Sequence, residues 1–211
     1  MIMRLVYSII LMLTAIVSAS AQQRLASPQL TVKEPTFVRM SDAKVSWTPV
    51  EGADRYSVKL DGEIIEVTGN ALYLTGMIGQ HTVEVIAQSS NGQKQSLPAS
   101  ATINVRDYGD GTLKRPYLIY DKNDWKLFAQ GVTNDQFGNK GFEGEVVALA
   151  ANIDFSGETI KPVGKNYATG FRGVFDGRGR TLKNAVIEGK GGLGLFVSFH
   201  GIMRNLKADN I

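Results

Sequence analysis

The stretch FRGVFDG at residues 171–177 decides the fold of the second half of the chain, because its first three residues have a counterpart upstream. Phe171-Arg172-Gly173 matches Phe142-Glu143-Gly144, and an apolar, strand-like run follows each copy. A second match joins residues 181–185 to residues 202–206, at a spacing of 21 residues. Short β segments that recur at such spacings stack into coils. The pattern predicts that residues 142–211 begin a β-solenoid with glycines at its corners.

The composition of the whole chain favours many short strands over helices. Its 211 residues include 23 glycines and 6 prolines, and 43% of them are hydrophobic. This length is expected to form one or two domains. Frequent β-branched and aromatic residues between glycine corners favour β structure. We therefore expect an all-β chain.

The N-terminus has the pattern of a secretory signal peptide at residues 1–21. Arg4 supplies a positive charge, residues 5–17 are largely apolar, and Ala19 and Ala21 are small enough for a peptidase site. The apolar run is shorter than the ~20 residues that span a bilayer as a helix. Cleavage after Ala21 is predicted to leave a linker at residues 22–27 and no transmembrane segment. We expect the protein to be exported, whether secreted, periplasmic or on the cell surface.

Residue counts exclude several kinds of site. The chain has no cysteine, which rules out disulfides, thiolate metal ligands and a cysteine nucleophile. Its two histidines, His81 and His200, fall in different predicted modules, so a two-histidine metal site is not expected. The net charge of +3 is too small to imply nucleic acid as a partner. No metal, cofactor or catalytic residue is predicted.

Residues 28–106 have the alternation that is typical of a β-sandwich. Val45 and Trp47 alternate with polar neighbours, and the same period of two recurs in later segments. Asp61-Gly62 and Asn91-Gly92 supply the positive φ angles that tight hairpin turns need. This region is predicted to fold as a module of its own.

This first module resembles a fibronectin type III domain. The resemblance rests on residues 45–47, 53–58 and 79–87. It departs from the family at His81, where the family usually has tyrosine, so the hydroxyl that pins that corner is absent. An immunoglobulin-like relative is the alternative.

Residues 107–211 are predicted to form the second module, which starts with a capping helix near 121–132. Asp121 is the expected N-cap, and Trp125 and Phe128 lie on one apolar stripe. A tryptophan on such a stripe is more typical of a core than of a sugar-binding surface. The helix is expected to cover the open end of the first coil.

The second module looks like the GLUG-motif repeat region of large bacterial surface and secreted proteins. That resemblance implies a right-handed, β-solenoid-like fold, found beside adhesin, peptidase and carbohydrate-related modules, with no catalytic residue in the repeat itself. The motifs that carry it lie at residues 111–112, 116–119, 152–157, 162–164, 171–177, 181–184, 194–196 and 204–206.

Two groups of side chains are candidates for catalysis. Ser198 lies two residues before His200, on the same face of a strand, but no nucleophile-elbow motif accompanies them. Carboxylates on one face could also form an acid and base pair, as in solenoid glycosidases and lyases. These carboxylates are Asp154, Glu158, Asp176 and Glu188. A surface pair and ordinary turn positions are the favoured interpretations.

Basic side chains are concentrated between residues 161 and 207, where only Asp176 and Glu188 are acidic. If one coil spans 21 residues, Lys183 stacks on Arg204, and like charges about 4.8 Å apart repel each other unless an anion screens them. The basic residues are Lys161, Lys165, Arg172, Arg178, Arg180, Lys183, Lys190, Arg204 and Lys207. The predicted site for an acidic glycan consists of Arg178, Arg180, Lys183 and Arg204, with Tyr167 or Phe171 as a stacking neighbour. The alternative is a solvated basic face that aids solubility.

The sequence thus predicts an exported, modular surface or secreted protein that binds or adheres and has no catalysis of its own. Its expected partner is an extracellular glycan or a host or cell-surface protein. Two alternatives remain: the non-catalytic N-terminal part of a secreted carbohydrate-active enzyme or peptidase, and a structural stalk. Because the repeat pattern reaches Ile211 without a cap, the chain is predicted to be a fragment that exposes an apolar end there.

Overall fold

The structure is a computed structural model that describes residues 24–37, 43–67, 69–136, 140–188 and 194–211. The predicted signal peptide at residues 1–21 lies outside this part of the chain. Apart from one helix, the described chain is all-β, as its composition predicted. It divides into two compact units. Unit 1 comprises the residues up to Lys33 together with 43–76 and 80–104, and unit 2 comprises 34–42, 77–79 and 105–211.

Unit 1 consists of short strands in two sheets. The strands are β1 (Leu30–Lys33), β2 (Lys44–Trp47), β3 (Arg55–Leu60), β4 (Glu63–Ile65), β5 (Ala71–Tyr73), β6 (Gly79–Gln88) and β7 (Ala99–Val105). One sheet has the order β1-β2-β5 and the other β4-β3-β6-β7. Strands β1, β2 and β5 pair antiparallel, and so do β3, β4 and β6.

The predicted alternation is present in unit 1. In β6, Val83, Val85 and Ala87 are fully buried, whereas the residues between them are partly exposed. Asp61 and Gly62 connect β3 to β4 with φ angles of 52° and 90°, as the two-residue hairpin turn requires.

Two polar contacts secure the unit 1 strands. The Tyr56 hydroxyl accepts a hydrogen bond of 2.8 Å from the Val50 N–H, and its ring lies edge-on to Trp47. The His81 Nδ1 lies 2.7 Å from the Asp61 carboxylate, whose other oxygen accepts a hydrogen bond from the Thr82 N–H. The corner at His81, which lacks the tyrosine hydroxyl, is therefore tied to the β3–β4 turn by a carboxylate.

Unit 2 combines one helix with three parallel sheets in the described residues. Its strands are β8 (Tyr117–Ile119), β9 (Val146–Leu149), β10 (Ile153–Asp154), β11 (Thr159–Ile160), β12 (Val174–Asp176), β13 (Thr181–Lys183), β14 (Val186–Ile187), β15 (Ile202–Arg204) and β16 (Lys207–Asp209). The sheet orders are β15-β12-β9-β8, β10-β13-β16 and β11-β14. The helix, α1, spans Lys122–Thr133.

Successive passes of the chain stack in register at a spacing of about 28 residues. Val146, Val174 and Ile202 are register partners, each 28 residues after the one before. Phe171 pairs with Phe199 at the same spacing. We define coil 1 as residues 142–170, coil 2 as 171–198 and coil 3 as 199–211. The match of Phe142 with Phe171 therefore reports the coil length, whereas the 21-residue match is wrong as a coil length.

The 21-residue match joins two different corners. Asn184 and Asn205 both have positive φ, at 57° and 54°, which is the conformation that asparagine tolerates best after glycine. The counterpart of Asn184 in the next coil is Asn210, whose side-chain N–H donates to the Asn184 carbonyl oxygen at 2.9 Å. Similar corner chemistry, rather than register, explains the sequence match.

Helix α1 begins where the sequence predicts and buries its apolar stripe. The Asp121 carboxylate accepts hydrogen bonds from the N–H groups of Asn123 and Asp124, which satisfies two free donors of the first turn. Trp125 and Phe128 are fully buried. Phe128 packs against rings of both coils, among them Phe142 and Phe171.

The core of unit 2 is rich in aromatic rings, and Phe37 belongs to it. Phe37 is fully buried with its ring centroid 5.9 Å from that of Phe128. The sequence assigned residues 28–106 to the first module, so this placement of residues 34–37 differs from the predicted boundary. A side chain of this size gains roughly 1.5–3 kcal/mol from burial, which outweighs its position in the sequence.

Glycines allow the coils to approach closely. A Cβ atom on Gly173 would lie 2.4 Å from the Phe142 carbonyl oxygen and 2.6 Å from that of Glu145. One coil later, a Cβ atom on Gly201 would lie 1.9 Å from the Gly173 carbonyl oxygen. The last strands of the stack expose apolar side chains: Ile202 is 61% and Met203 41% exposed.

Candidate functional site

The structure corrects one member of the predicted glycan site. Phe171 is fully buried and packs on Phe128, Phe175 and Phe196, so it has no face on which a sugar could stack. Its side chain points inward because residue 171 is a register position of the coil core. Tyr167, the other predicted stacking residue, is 72% exposed.

The predicted column of like charges is also wrong. Strand register places Lys183 between Asp154 and Asp209, and Arg204 beside Asp176. Lys183 Nζ lies 3.3 Å from the Asp154 carboxylate, and Arg204 Nε lies 2.9 Å from that of Asp176. Charges therefore alternate in sign along each column, and both of these basic groups are already paired.

Arg178 and Arg180 are exposed and flank a tight turn at Gly179. No ion pair is described for either side chain. Arg178 has a φ of 49°, and its N–H donates to the Asp176 carboxylate at 2.9 Å. These two arginines are the members of the predicted set that remain available to an anion.

Tyr167 belongs to a separate surface cluster. The Arg172 guanidinium lies 4.9 Å above its ring, and the His200 ring packs on it at 4.5 Å. Ser198 Oγ lies 2.8 Å from His200 Nε2, so the two residues noted in the sequence do meet. No described carboxylate contacts His200, so the orienting partner of a Ser-His-Asp arrangement is missing from the described residues.

The candidate acid and base carboxylates serve as ion-pair partners. Hydrogen bonds from Lys122 and then Lys126 lower the pKa of Glu158 to about 2. Hydrogen bonds from Asn184 and the Ser156 N–H lower the pKa of Asp154. Burial raises the pKa of Asp176, but donors that include Arg204 outweigh it and leave the pKa below its ordinary value. A glycosidase general acid needs a raised pKa, and these three groups have the opposite shift.

A groove of about 730 Å³ lies between α1 and the segment that follows coil 1 strand β11. We call it the helix groove. Its size falls within the roughly 300–1,000 Å³ of typical ligand sites. Polar side chains line both sides, and buried apolar side chains form its floor. The polar lining includes Lys126, Gln130, Thr133, Lys161, Lys165 and Glu188, and the floor includes Trp125, Ala129 and Ile160.

One hydrogen bond joins the two sides of the helix groove. The Gly164 N–H donates to Thr133 Oγ1 at 3.1 Å. Gly164 has a φ of 81°, and a Cβ atom there would lie 2.9 Å from the Thr169 carbonyl oxygen. Glycine therefore allows the loop to approach the C-terminal end of α1, and this contact sets the width of the groove.

The helix groove carries uncompensated positive charge. Lys126 shares the Glu158 carboxylate with Lys122, at 2.6 Å from Oε2, so two lysines face one acid. Lys161 and Lys165 are exposed, and no ion pair is described for either of them. Glu188 is the acidic residue of the lining. The groove is suited to an anionic ligand.

Trp125 adds an unpaired donor beneath the helix groove. Its side chain is fully buried, yet its Nε1 has no hydrogen-bond partner. Buried N–H groups without partners are uncommon in folded proteins and call for an explanation at the site where they occur.

Sequence reasoning missed this groove. Lys161 and Lys165 were counted among the basic residues, but nothing in the sequence joined them to the polar face of α1. The available signal was the spacing of Lys126, Gln130 and Thr133, which puts polar groups on one helix face beside the apolar stripe. Among the described residues, no cluster of His, Asp or Glu could hold a metal ion, and no helix is long and apolar enough to cross a membrane.

Comparison with known proteins gives coarse similarities of β architecture. No family model and no curated protein matches the chain. The fibronectin(III)-like modules of Clostridium thermocellum CbhA align at a TM-score of 0.30 and 20% identity, covering 38% of this chain and 95% of that one. The family 28 exopolygalacturonase of Yersinia enterocolitica aligns at a TM-score of 0.31 and 12% identity, covering 76% of this chain and 32% of that one. At these TM-scores neither similarity bears on function.

Proposed function

We propose that the chain belongs to an exported, modular protein that binds acidic glycans and has no catalysis of its own. In this proposal, unit 1 is a fibronectin type III-like module that presents the binding unit. Unit 2 is the start of a right-handed, GLUG-like β-solenoid that carries the binding surface. The signal-peptide pattern at residues 1–21 supports export.

The observation that carries the proposal is the register of the parallel strands. Ala148, Asp176 and Arg204 occupy one column across three successive strands. Such columns repeat side chains about every 4.8 Å along the stack. A repeated, elongated surface suits a linear polymer better than a compact small molecule.

Charge supports an acidic ligand. Between residues 161 and 207 the sequence has far more basic than acidic residues, and Asp176 is already paired with Arg204. The remaining ammonium and guanidinium groups are exposed, so an anion can reach them without a large desolvation cost. The lowered pKa values of Asp154, Glu158 and Asp176 favour binding over hydrolysis, because each carboxylate is engaged as an ion-pair partner.

Affinity electrophoresis of the full chain tests this function. Acidic polysaccharides in the gel should retard the protein, and neutral polysaccharides should not. The retardation should weaken with added salt, because exposed charges are screened within about 10 Å at 0.1 M. Equal mobility in all gels would overturn the proposal. Release of reducing ends from the same polysaccharides would instead favour the enzyme alternative.

A further inference from the structure

We infer that the helix groove, rather than the arginine turn at residues 178–180, is the binding site for the acidic oligosaccharide. This inference rests on the proposed function and names the site at which it operates. The ligand is a chain of sugars that carry carboxylate or sulfate groups. Lys161 and Lys165 bind its charged groups, and Trp125 Nε1 donates to an oxygen that reaches the floor.

Charge and shape coincide in the helix groove. Lys161 and Lys165 lie on one side, and Gln130 lies on the opposite side, on the exposed face of α1. Ammonium groups pair with anions, and the amide of Gln130 can both donate to and accept from sugar hydroxyls. The Arg178 and Arg180 pair lies on a turn and does not line the groove.

The buried indole gives an independent reason to place a ligand there. Trp125 lines the helix groove, and its Nε1 is the unpartnered donor among the lining residues that the structure describes. Leaving a buried donor unpaired costs roughly 1–3 kcal/mol. A ligand oxygen that accepts from Nε1 removes this cost only in the bound state, so the unpaired donor contributes to affinity.

Tryptophan fluorescence can report this site alone. The chain has two tryptophans, Trp47 in unit 1 and Trp125 beneath the groove. In a Trp47→Phe background, Trp125 is the sole reporter, and ligand at Nε1 should change its emission. The probes are a uronic-acid tetrasaccharide, a heparin tetrasaccharide and neutral maltotetraose. Calorimetric titration of the wild-type chain gives an affinity that does not depend on the Trp47 substitution.

Two charge-reversed double variants locate the binding site. Lys161→Glu/Lys165→Glu changes exposed residues of the groove, and Arg178→Glu/Arg180→Glu makes the same change of charge on the exposed turn. We expect the groove variant to lose at least ten-fold in affinity and the emission change. The turn variant should lose less than two-fold. The probe that binds more tightly, uronate or heparin, identifies the charged group that the site prefers.

Every other outcome overturns the inference in a defined way. Loss of binding in the turn variant alone, or equal losses in both, would leave the proposed function standing and remove the groove as its site. Binding of the acidic probes without any change in Trp125 emission would also reject the groove. If neither acidic probe binds the wild-type chain at low salt, both the inference and the proposed function fail.

Discussion

Unit 1 and unit 2 use β-strands in opposite ways. In unit 1 the strands are antiparallel, and neighbours such as β3 and β4 are joined by a two-residue turn. In unit 2 they are parallel, and each strand pairs with one about 28 residues away. Unit 1 therefore depends on local turns, whereas unit 2 depends on how closely whole coils pack on one another.

The difference also appears in the cores. Unit 1 buries mainly aliphatic side chains such as Val58, Val85 and Ile103, whereas unit 2 buries a connected set of aromatic rings around Phe128. Its strands of two to four residues, such as β10, are too short to define a face by alternation. Large rings reach across several coils, so a single substitution in unit 2 should affect more of the fold than one in unit 1.

The largest expected effect tests this contrast directly. Phe128→Ala removes a fully buried ring that packs on Phe37, Phe142, Phe171, Phe175 and Phe196. The free energy of unfolding of unit 2 should fall by roughly 3–5 kcal/mol. Denaturant unfolding followed by Trp125 fluorescence in a Trp47→Phe background measures it.

Ile103→Val, in β7 of unit 1, is the matched control. It removes one buried methylene, so the free energy of unfolding should fall by roughly 0.5–1.5 kcal/mol in the transition that Trp47 reports. A smaller loss from Phe128→Ala than from Ile103→Val would contradict the view that aromatic packing organises unit 2.

The second prediction concerns coil spacing. Gly173→Ala places a methyl group 2.4 Å from the Phe142 carbonyl oxygen, so the coils must separate locally. We expect a loss of about 3 kcal/mol, at the upper end of overpacking costs, in unfolding monitored through Trp125. Gly194→Ala is the control, since the nearest atom there would lie 3.7 Å away. Equal stability of the two variants would show that coils 1 and 2 are not in close contact at Gly173.

A smaller effect sharpens the comparison from the side of unit 1. The buried Ser96 Oγ accepts a hydrogen bond of 2.9 Å from the Ala87 N–H. Ser96→Ala leaves that N–H unpaired and should cost roughly 1–3 kcal/mol. Ser100→Ala, at an exposed position of β7, should be near neutral. Urea midpoints of the two variants, followed through Trp47, decide the prediction; if both variants match the wild type, Ser96 has no part in the sheet.

The smallest effect is a pH dependence in unit 2. The pKa of Glu158 is about 2 because Lys122 and Lys126 donate to its carboxylate. Since the folded pKa lies below the ordinary value of 4.5, the contribution of Glu158 is present above pH 4.5 and is lost as the pH falls toward 2. Thermal melts should therefore place the wild type slightly above Glu158→Gln at pH 6, with no difference near pH 2.

An exposed carboxylate without a described ion pair provides the control. Glu143→Gln should leave the melting temperature unchanged at pH 6. A wild-type advantage over Glu158→Gln that persists at pH 2 would assign the effect to packing rather than to charge.

Sequence predicted local features better than spacing between coils. The alternation of β6, the turn at Asp61-Gly62 and the cap at Asp121 depend on neighbouring residues, and all three are present. The 21-residue match failed because Asn184 and Asn205 meet the same backbone requirement at different corners. Local conformational preference repeats wherever a corner does, so it cannot by itself identify the register partner.

The candidate site was harder to predict because it depends on burial and on distant contacts. Tyr167 and Phe171 are both aromatic and only four residues apart, yet one is 72% exposed and the other fully buried. The helix groove joins Gln130 to Lys161 and Lys165, which are separated in the sequence by all of β9 to β11. Only the packing of α1 beside the strands brings them together.

The alternating column of Asp154, Lys183 and Asp209 bears on how the protein assembles. In the native order each carboxylate has the lysine as its register partner. If the strand of coil 3 docked on coil 1 before coil 2 was in place, Asp209 would lie opposite Asp154, and like charges at that spacing repel each other. Premature docking is thereby penalised while the native sequence of docking is rewarded. The column thus favours addition of the coils one after another from the helix onward, which is the order in which a ribosome or an export channel would release them.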